Sequence, residues 1–176
     1  MRVGIVNLTV CAIGAVARAL EEEHGIVLEE MPYIQREPII MNRLVIDDKS
    51  QAVFVKIHDP VLYGTGYFIL YIPLANIEKL FLGRNPPVKP EPEELEKACA
   101  ALSTRVTDGF KKLAVAIGSE NLVLSTPRLY AKNTNEELTG VYVDYKYRLS
   151  FNFQKNPVVF TDLAYQTKSE KQDAPL

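Results

Sequence analysis

The chain has 176 residues, of which 47% are hydrophobic and 24% charged, with a formal net charge of -2. That length supports one domain, or two small halves sharing a core. The charge balance gives no basic field for nucleic acid and no polybasic patch for an anionic membrane, and apolar runs such as YFILYIPLANI fall short of the roughly 20 residues of a membrane helix.

The N-terminal apolar stretch continues as an amphipathic helix into RALEEEHG. It is therefore read as mature sequence rather than a secretion signal, and the expected location is the cytoplasm. The helix is expected over Thr9 to His24, with Thr9 as N-cap and Gly25 as the left-handed residue that ends it. Val10, Ile13, Val16, Ala17 and Leu20 form an apolar stripe. Ala12, Gly14, Ala15 and Ala19 keep the other side small, which permits close approach of a second element. Glu21, Glu22 and Glu23 crowd an end where the helix dipole disfavours acid, and are read as solvated.

Strands are expected next. IVLEEMPYI is the first. NRLVID and AVFVKI flank DDKS as a hairpin. YGTGY reads as a turn, and GYFILYIPL, apolar on both sides, as a covered central strand. A short helix is expected from Ala75 to Leu82, ending at Gly83. The segment GRNPPVKPEPEE holds four prolines and reads as an extended connector.

A second long helix is expected from Glu93 to Ala116, stopping at Gly118. Leu95, Ala98, Cys99, Leu102, Val106, Phe110 and Leu113 recur at helical steps. LVLSTPRLY is the next strand. In VYVDYKYRLSFNF, Val141, Val143, Tyr145, Tyr147, Leu149, Phe151 and Phe153 alternate with Tyr142, Asp144, Lys146, Arg148, Ser150 and Asn152, the mark of a strand with one buried face. PVVFTDLAY is the last strand, and the polar tail 166–176 is expected to be disordered.

Candidate chemistry is sparse. Cys11 and Cys99 each sit alone among small apolar residues and read as buried thiols. His24 and His58 have no neighbour at metal-ligand spacing. There is no nucleophile elbow and no glycine-rich phosphate loop. No metal, cofactor or catalytic residue is assigned from these patterns.

The two halves echo each other. In each, a long helix ends at a glycine and a proline-containing strand follows: GIVLEEMPYI in the first half, NLVLSTPRLY in the second. Each half then makes two longer strands. This predicts one α+β domain over 1–165, pseudo-twofold, with halves 1–83 and 93–165 joined by linker 84–92. It has an antiparallel sheet and two long helices packed side by side.

In this order of elements, in the second helix running into NLVLSTPRLY, and in the aromatic-rich strand pair ending in VVFTDLAY, the chain resembles the CheC/CheX-type chemotaxis phosphatases. The resemblance implies a CheX-like fold and, as partner, the receiver domain of a response regulator. Members of that family insert a Glu and an Asn, three residues apart on a helix, into the receiver. The amide orients the water that attacks the acyl phosphate. Here Glu94 falls at the position of the Glu, but Lys97 falls at that of the Asn. A protonated lysine has no lone pair with which to hold a water. No Glu is followed three residues later by Asn anywhere in the chain, and Asp48 and Gln51, an acid–amide pair at that spacing, sit in DDKSQ rather than on a helix.

The expectation is a protein-interaction module without this chemistry, contacting its partner through Glu94, Lys97, Ala101 and Arg105. The alternative is a phosphatase with a displaced site, pairing Glu94 or Glu96 with Asn76 or Asn121. Sheet edges and the long helix face also invite a homodimer.

Overall fold

The structure, a computed structural model, describes residues 4–77 and 91–168. Helix α1 spans Ile5–His24. It begins a turn before Thr9, because Gly4 acts as N-cap and the Asn7 side chain accepts the Gly4 N–H. Thr9 lies inside the helix, its hydroxyl donating to the Ile5 carbonyl. Gly25, at φ 65°, ends the helix as expected. The buried stripe is Leu8, Ala12, Ala15, Val16, Ala19 and Leu20, whereas Val10 of the expected stripe faces solvent. Small residues form the packing side because a second helix lies against them.

Strand β1 covers Tyr33–Pro38, β2 Arg43–Val45, β3 Ser50–Asp59 and β4 Gly64–Pro73. Residues 26–32 form no strand, so the first expected strand starts late. The expected hairpin of NRLVID with AVFVKI does not form. Strand β2 pairs instead with β7, Asn135–Glu137. Leu44 and Ile46 alternate inward and are buried against Tyr67, Ile69 and Ala164 on the outer face of the main sheet. Burial of those two side chains lifts β2 off the sheet plane. YGTGY is not a turn either. The chain reverses over residues 60–63, where the Asp59 carboxylate accepts the N–H groups of Val61 and Leu62. Gly64 and Gly66 are strand residues. A Cβ on Gly66 would sit 2.0 Å from the Ala164 carbonyl oxygen. Helix α2 follows as the turn Leu74–Asn76. The rest of the expected short helix, and the linker as far as residue 90, lie outside the described residues.

Helix α3 spans Pro92–Ala116, with Pro92 at its first position and Gly118 beyond its end at φ 102°. Its inward face is Cys99, Leu102, Ser103, Val106, Phe110 and Ala114. LVLSTPRLY is broken at STP into β5, Val123–Leu124, and β6, Arg128–Tyr130. Pro127 has no N–H to continue a ladder. Strand β8 is Tyr145–Phe153 and β9 is Asn156–Gln166. Leu149 and Phe151 point into the core under the helices, but Val141 and Val143 precede β8 and join the outer cluster. The alternation was read as one face, and it changes side where the strand begins. Gln166 and Thr167, assigned to the tail, are buried at the end of β9.

Among the described residues the main antiparallel sheet has seven strands, running β1-β8-β9-β4-β3-β5 with β6 also on β3. The pseudo-twofold plan is explicit in this order. Hairpins β3–β4 and β8–β9 meet at the central β4–β9 pair. Each half then sends the strand after its proline to the far edge of the other: β1 pairs with β8, and β6 with β3. Helices α1 and α3 pack side by side over one face, where Phe110 stacks on Phe68 with ring centroids 5.7 Å apart. The arrangement is the predicted α+β class.

The outer face carries a buried ion network. Asp162, on β9, is fully buried. Its carboxylate accepts from Arg148 Nε at 2.7 Å and Nη2 at 2.8 Å, Lys146 Nζ at 3.0 Å and the Tyr71 hydroxyl at 3.1 Å. Burial pushes the Asp162 carboxyl up, but hydrogen bonds and charge from Arg148 and Lys146 outweigh it and hold it below the usual carboxylate range. Burial, reinforced by the Asp162 charge, pushes the Tyr67 and Tyr71 phenols up.

Two outcomes follow from these contacts. Gly66→Ala, with no room against a backbone carbonyl, should cost about 3 kcal/mol in urea unfolding. Asp162→Asn leaves two cations short of their partner and should cost about 3 kcal/mol at pH 7. Because the folded pKa of Asp162 is depressed, its contribution is complete above the unfolded value of about 3.9 and is lost as pH falls through the folded value. The gap between wild type and Asp162→Asn should therefore stay constant from pH 7 to 5 and shrink below pH 4. An unchanged gap in acid would remove Asp162 as the titrating group.

Candidate interaction surface on the helix pair

The solvent side of the α1–α3 pair forms an open groove of about 800 Å³. Its floor is small or apolar: Gly14, Ala15 and Ala19 from α1, and Ala100, Ala101, Gly109 and Leu113 from α3. The two glycines set its depth. A Cβ on Gly14 would lie 3.1 Å from Leu113 Cδ1, and one on Gly109 would lie 3.5 Å from the Ala15 Cβ. Bulkier residues there would push the helices apart.

Charges of both signs rim the floor. Arg105 on α3 donates through Nε to Glu23 at 2.5 Å and through Nη1 to Glu22 at 3.0 Å. Glu22 also receives Arg18 Nε at 2.7 Å, one turn back on α1. The Arg18 hydrogen bond holds the Glu22 carboxyl below its ordinary range; burial opposes it, and the charges of Arg18 and Arg105 add to the lowering. The acidic run Glu21–Glu23, read from sequence as a solvated end, thus supplies two carboxylates that clamp α3. These pairs are exposed, so they orient side chains more than they stabilise the fold.

All four expected contact residues lie on α3, two of them in the groove lining. Ala101 and Arg105 line the groove. Lys97 is exposed one turn nearer the helix start, outside the groove lining. Glu94 is the third residue of α3, and its carboxylate accepts the Glu91 N–H at 3.3 Å in a capping box. The α1 side of the groove was missed as a site. Its signal was present in the small residues at 14, 15 and 19 and the acids that follow them.

The displaced acid–amide pair does not assemble. Asn76 donates its amide to the Pro157 and Val158 carbonyls, tying the end of β4 to β9. Asn121 lies beyond the C-terminal end of α3, next to Leu122, whose carbonyl accepts the Lys111 ammonium, about four turns along the helix from Glu96. Gln51 is on β3, where its side-chain oxygen accepts the Cys99 thiol at 3.2 Å. Both cysteines are buried and free. Burial, with the charge of Glu96, pushes the Cys99 thiol up to about 12, so it is no nucleophile at neutral pH. Among the described residues no group of three or more His, Cys, Asp or Glu side chains could hold a metal ion, and no helix is long and apolar enough to cross a membrane.

No protein-family model and no curated protein matches the sequence. Solved structures match along almost its whole length. A CheC-like superfamily protein from Shewanella sp. PV-4 superposes with a TM-score of 0.65 at 15% identity, covering 92% of this chain and 98% of that one. Chemotaxis protein CheX from Vibrio vulnificus does so with a TM-score of 0.62 at 15% identity, covering 90% and 99%. The chain has the CheX-like fold. A third structure with this fold is the complex of CheX with CheY, BeF3 and magnesium from Borrelia burgdorferi, with a TM-score of 0.57 at 13% identity over 94% of this chain and 99% of that one. At these identities the likeness covers the CheX-like backbone plan and not its side chains. Glu94, Lys97 and the groove are therefore judged on their own geometry.

Proposed function

We propose that this chain is a protein-interaction module of bacterial chemotaxis signalling, cytoplasmic, which docks the receiver domain of a response regulator on its helix pair and does not hydrolyse the acyl phosphate there. The observation that carries the reading is the CheX-like fold, and it is joined by the absence of any Glu followed three residues later by Asn in the sequence. The fold is shared with a CheX solved together with CheY. Where the resemblance sets the acid and the amide on α3, this chain has Glu94, which caps the helix, and an exposed Lys97. Binding needs only a complementary surface, and the groove between α1 and α3 offers one with a small floor and a charged rim. Hydrolysis also needs a group to orient water, and neither Asn76 nor Asn121 can serve beside Glu94 or Glu96.

The test is phosphate release from phosphorylated receiver domains, with this protein added at one part in twenty and then at equimolar amounts, beside a binding titration on beryllofluoride-activated receivers. Binding without acceleration is expected at either dose. Ala101→Trp, which fills the groove from an exposed position, should weaken binding at least tenfold while leaving the unfolding midpoint in place. Multiple turnover at the low dose would overturn the non-catalytic part of the reading. Absence of binding to any receiver would overturn docking. The same reading includes a homodimer through the open edge of β1, where Tyr33 and Ile34 are exposed. Sedimentation velocity should then show a dimer that Ile34→Pro dissociates.

A further inference from the structure

The outer face of the sheet, opposite the helices, holds a cleft of about 840 Å³ that the docking function does not use. Its volume falls within the range of small-molecule sites. One wall comes from β2 and the residues before it, the other from β8, and Tyr71 and Phe160 form the base. We propose that this cleft binds a small amphipathic carboxylate, its head on Arg43, Lys146 and Arg148 and its apolar body against Ile40, Met41 and Phe160.

Two features support this occupant. The first is the donor arrangement. Three cations line the cleft and Asp47 is the single acid among its lining residues. Asp162 lies beneath, and its two oxygens are already saturated by four donors. Glu37 approaches Lys146 only at 3.7 Å, from outside the cleft. Arg148 uses Nε and Nη2 on Asp162, and Arg43 uses only Nε, donating to Asn135 at 2.8 Å. The remaining N–H groups of both guanidinium forks carry no bond among the described residues. Such forks match a carboxylate in geometry and charge. Asp162 acts here as a positioning residue. It fixes the Arg148 plane and holds Lys146 beside it, so the head group would meet donors already in place.

The second feature is the lip. Ile40 is 91% exposed and Met41 71% exposed, both at the mouth of the cleft beside the cations. Large apolar side chains held in water around a polar base are the pattern of a site that buries an apolar ligand body. A purely polar anion would leave Ile40 and Met41 unused, and an uncharged apolar ligand would strand the guanidinium donors.

The experiment is a titration of the full chain with 4-phenylbutyrate, followed by amide ¹H–¹⁵N shifts, with uncharged 4-phenylbutyramide as the parallel arm. Saturable shifts are expected at Arg43, Ser50, Tyr71, Lys146 and Arg148, with the amide at least tenfold weaker. Arg43→Gln, at an exposed position, should weaken the carboxylate at least fivefold without moving the unfolding midpoint. Shifts that stay linear to high concentration, equal binding of the amide, or shifts confined to α1 and α3 would each overturn the proposal. Receiver docking is read on the other face of the molecule, so failure here leaves that reading standing.

Discussion

The central pairing of β4 with β9 is the constraint on which the rest of the structure depends. It runs from Thr65 opposite Gln166 to Tyr71 opposite Phe160, and among the described residues it is the only main-sheet ladder that joins the two hairpins directly. Within the main sheet, the other links between the halves are edge strands laid on a hairpin, and outside it the halves also meet through α1 against α3 and β2 against β7. The seam is tight because Gly66 lets the β9 backbone approach where a Cβ would collide. It is locked on its outer side by Asp162, which reaches Tyr71 on β4 as well as Arg148 and Lys146 on β8. Three adjacent strands are thereby tied by one carboxylate. A buried network of this kind contributes more to fixing register than to net stability, since desolvating the ions offsets much of their attraction.

The seam also separates two faces with different chemistry. Residues of one parity, such as Phe68, Leu163 and Leu149, lie under the helices and make the main core. Residues of the other parity face the β2–β7 ribbon, which covers only part of the sheet. Under the ribbon lies the apolar cluster of Leu44, Ile46 and Tyr67, and beyond it the cleft of Arg43, Lys146 and Arg148. The helix pair presents a groove of small residues, whereas the sheet presents fixed cations beside exposed apolar groups. The first would suit a protein surface, and the second the small amphipathic carboxylate proposed for it.

Much of the fold was legible because its strongest signals are local. The helical steps from Leu95 to Phe110, the period-two order of Tyr145 to Phe153 and the proline-bearing strand after each helix all act within a short stretch of chain. The failures are non-local. Nothing near Leu44 says that its partner strand is Asn135–Glu137, more than ninety residues on, and a compact turn at DDKS favoured the nearer partner. Gly64 and Gly66 looked like turn residues because the reason for them, Tyr165 and Ala164 on a neighbouring strand, is distant in sequence. The site was legible only in part. Ala101 and Arg105 followed from spacing on one helix, but the carboxylates that hold Arg105 come from α1. Asp162 was visible as a lone acid in an apolar strand, and Lys146 and Arg148 as the polar parity of another. Their meeting depends on the β8–β9 register of Arg148 opposite Asp162.

The groove on the helix pair is held in shape by side chains whose duties are structural. Glu94 accepts a backbone N–H at the helix start that would otherwise lack a partner, so a carboxylate at that position is favoured whether or not water is ever oriented. Lys97 faces solvent and lies off the buried face of α3. Arg105 has a structural duty: it joins α3 to the end of α1 and gathers Glu22 and Glu23 against the dipole that should disfavour them. The groove therefore keeps its form through packing, capping and ion pairs. A groove fixed in this way is open to a docking partner whether or not α3 carries any catalytic group.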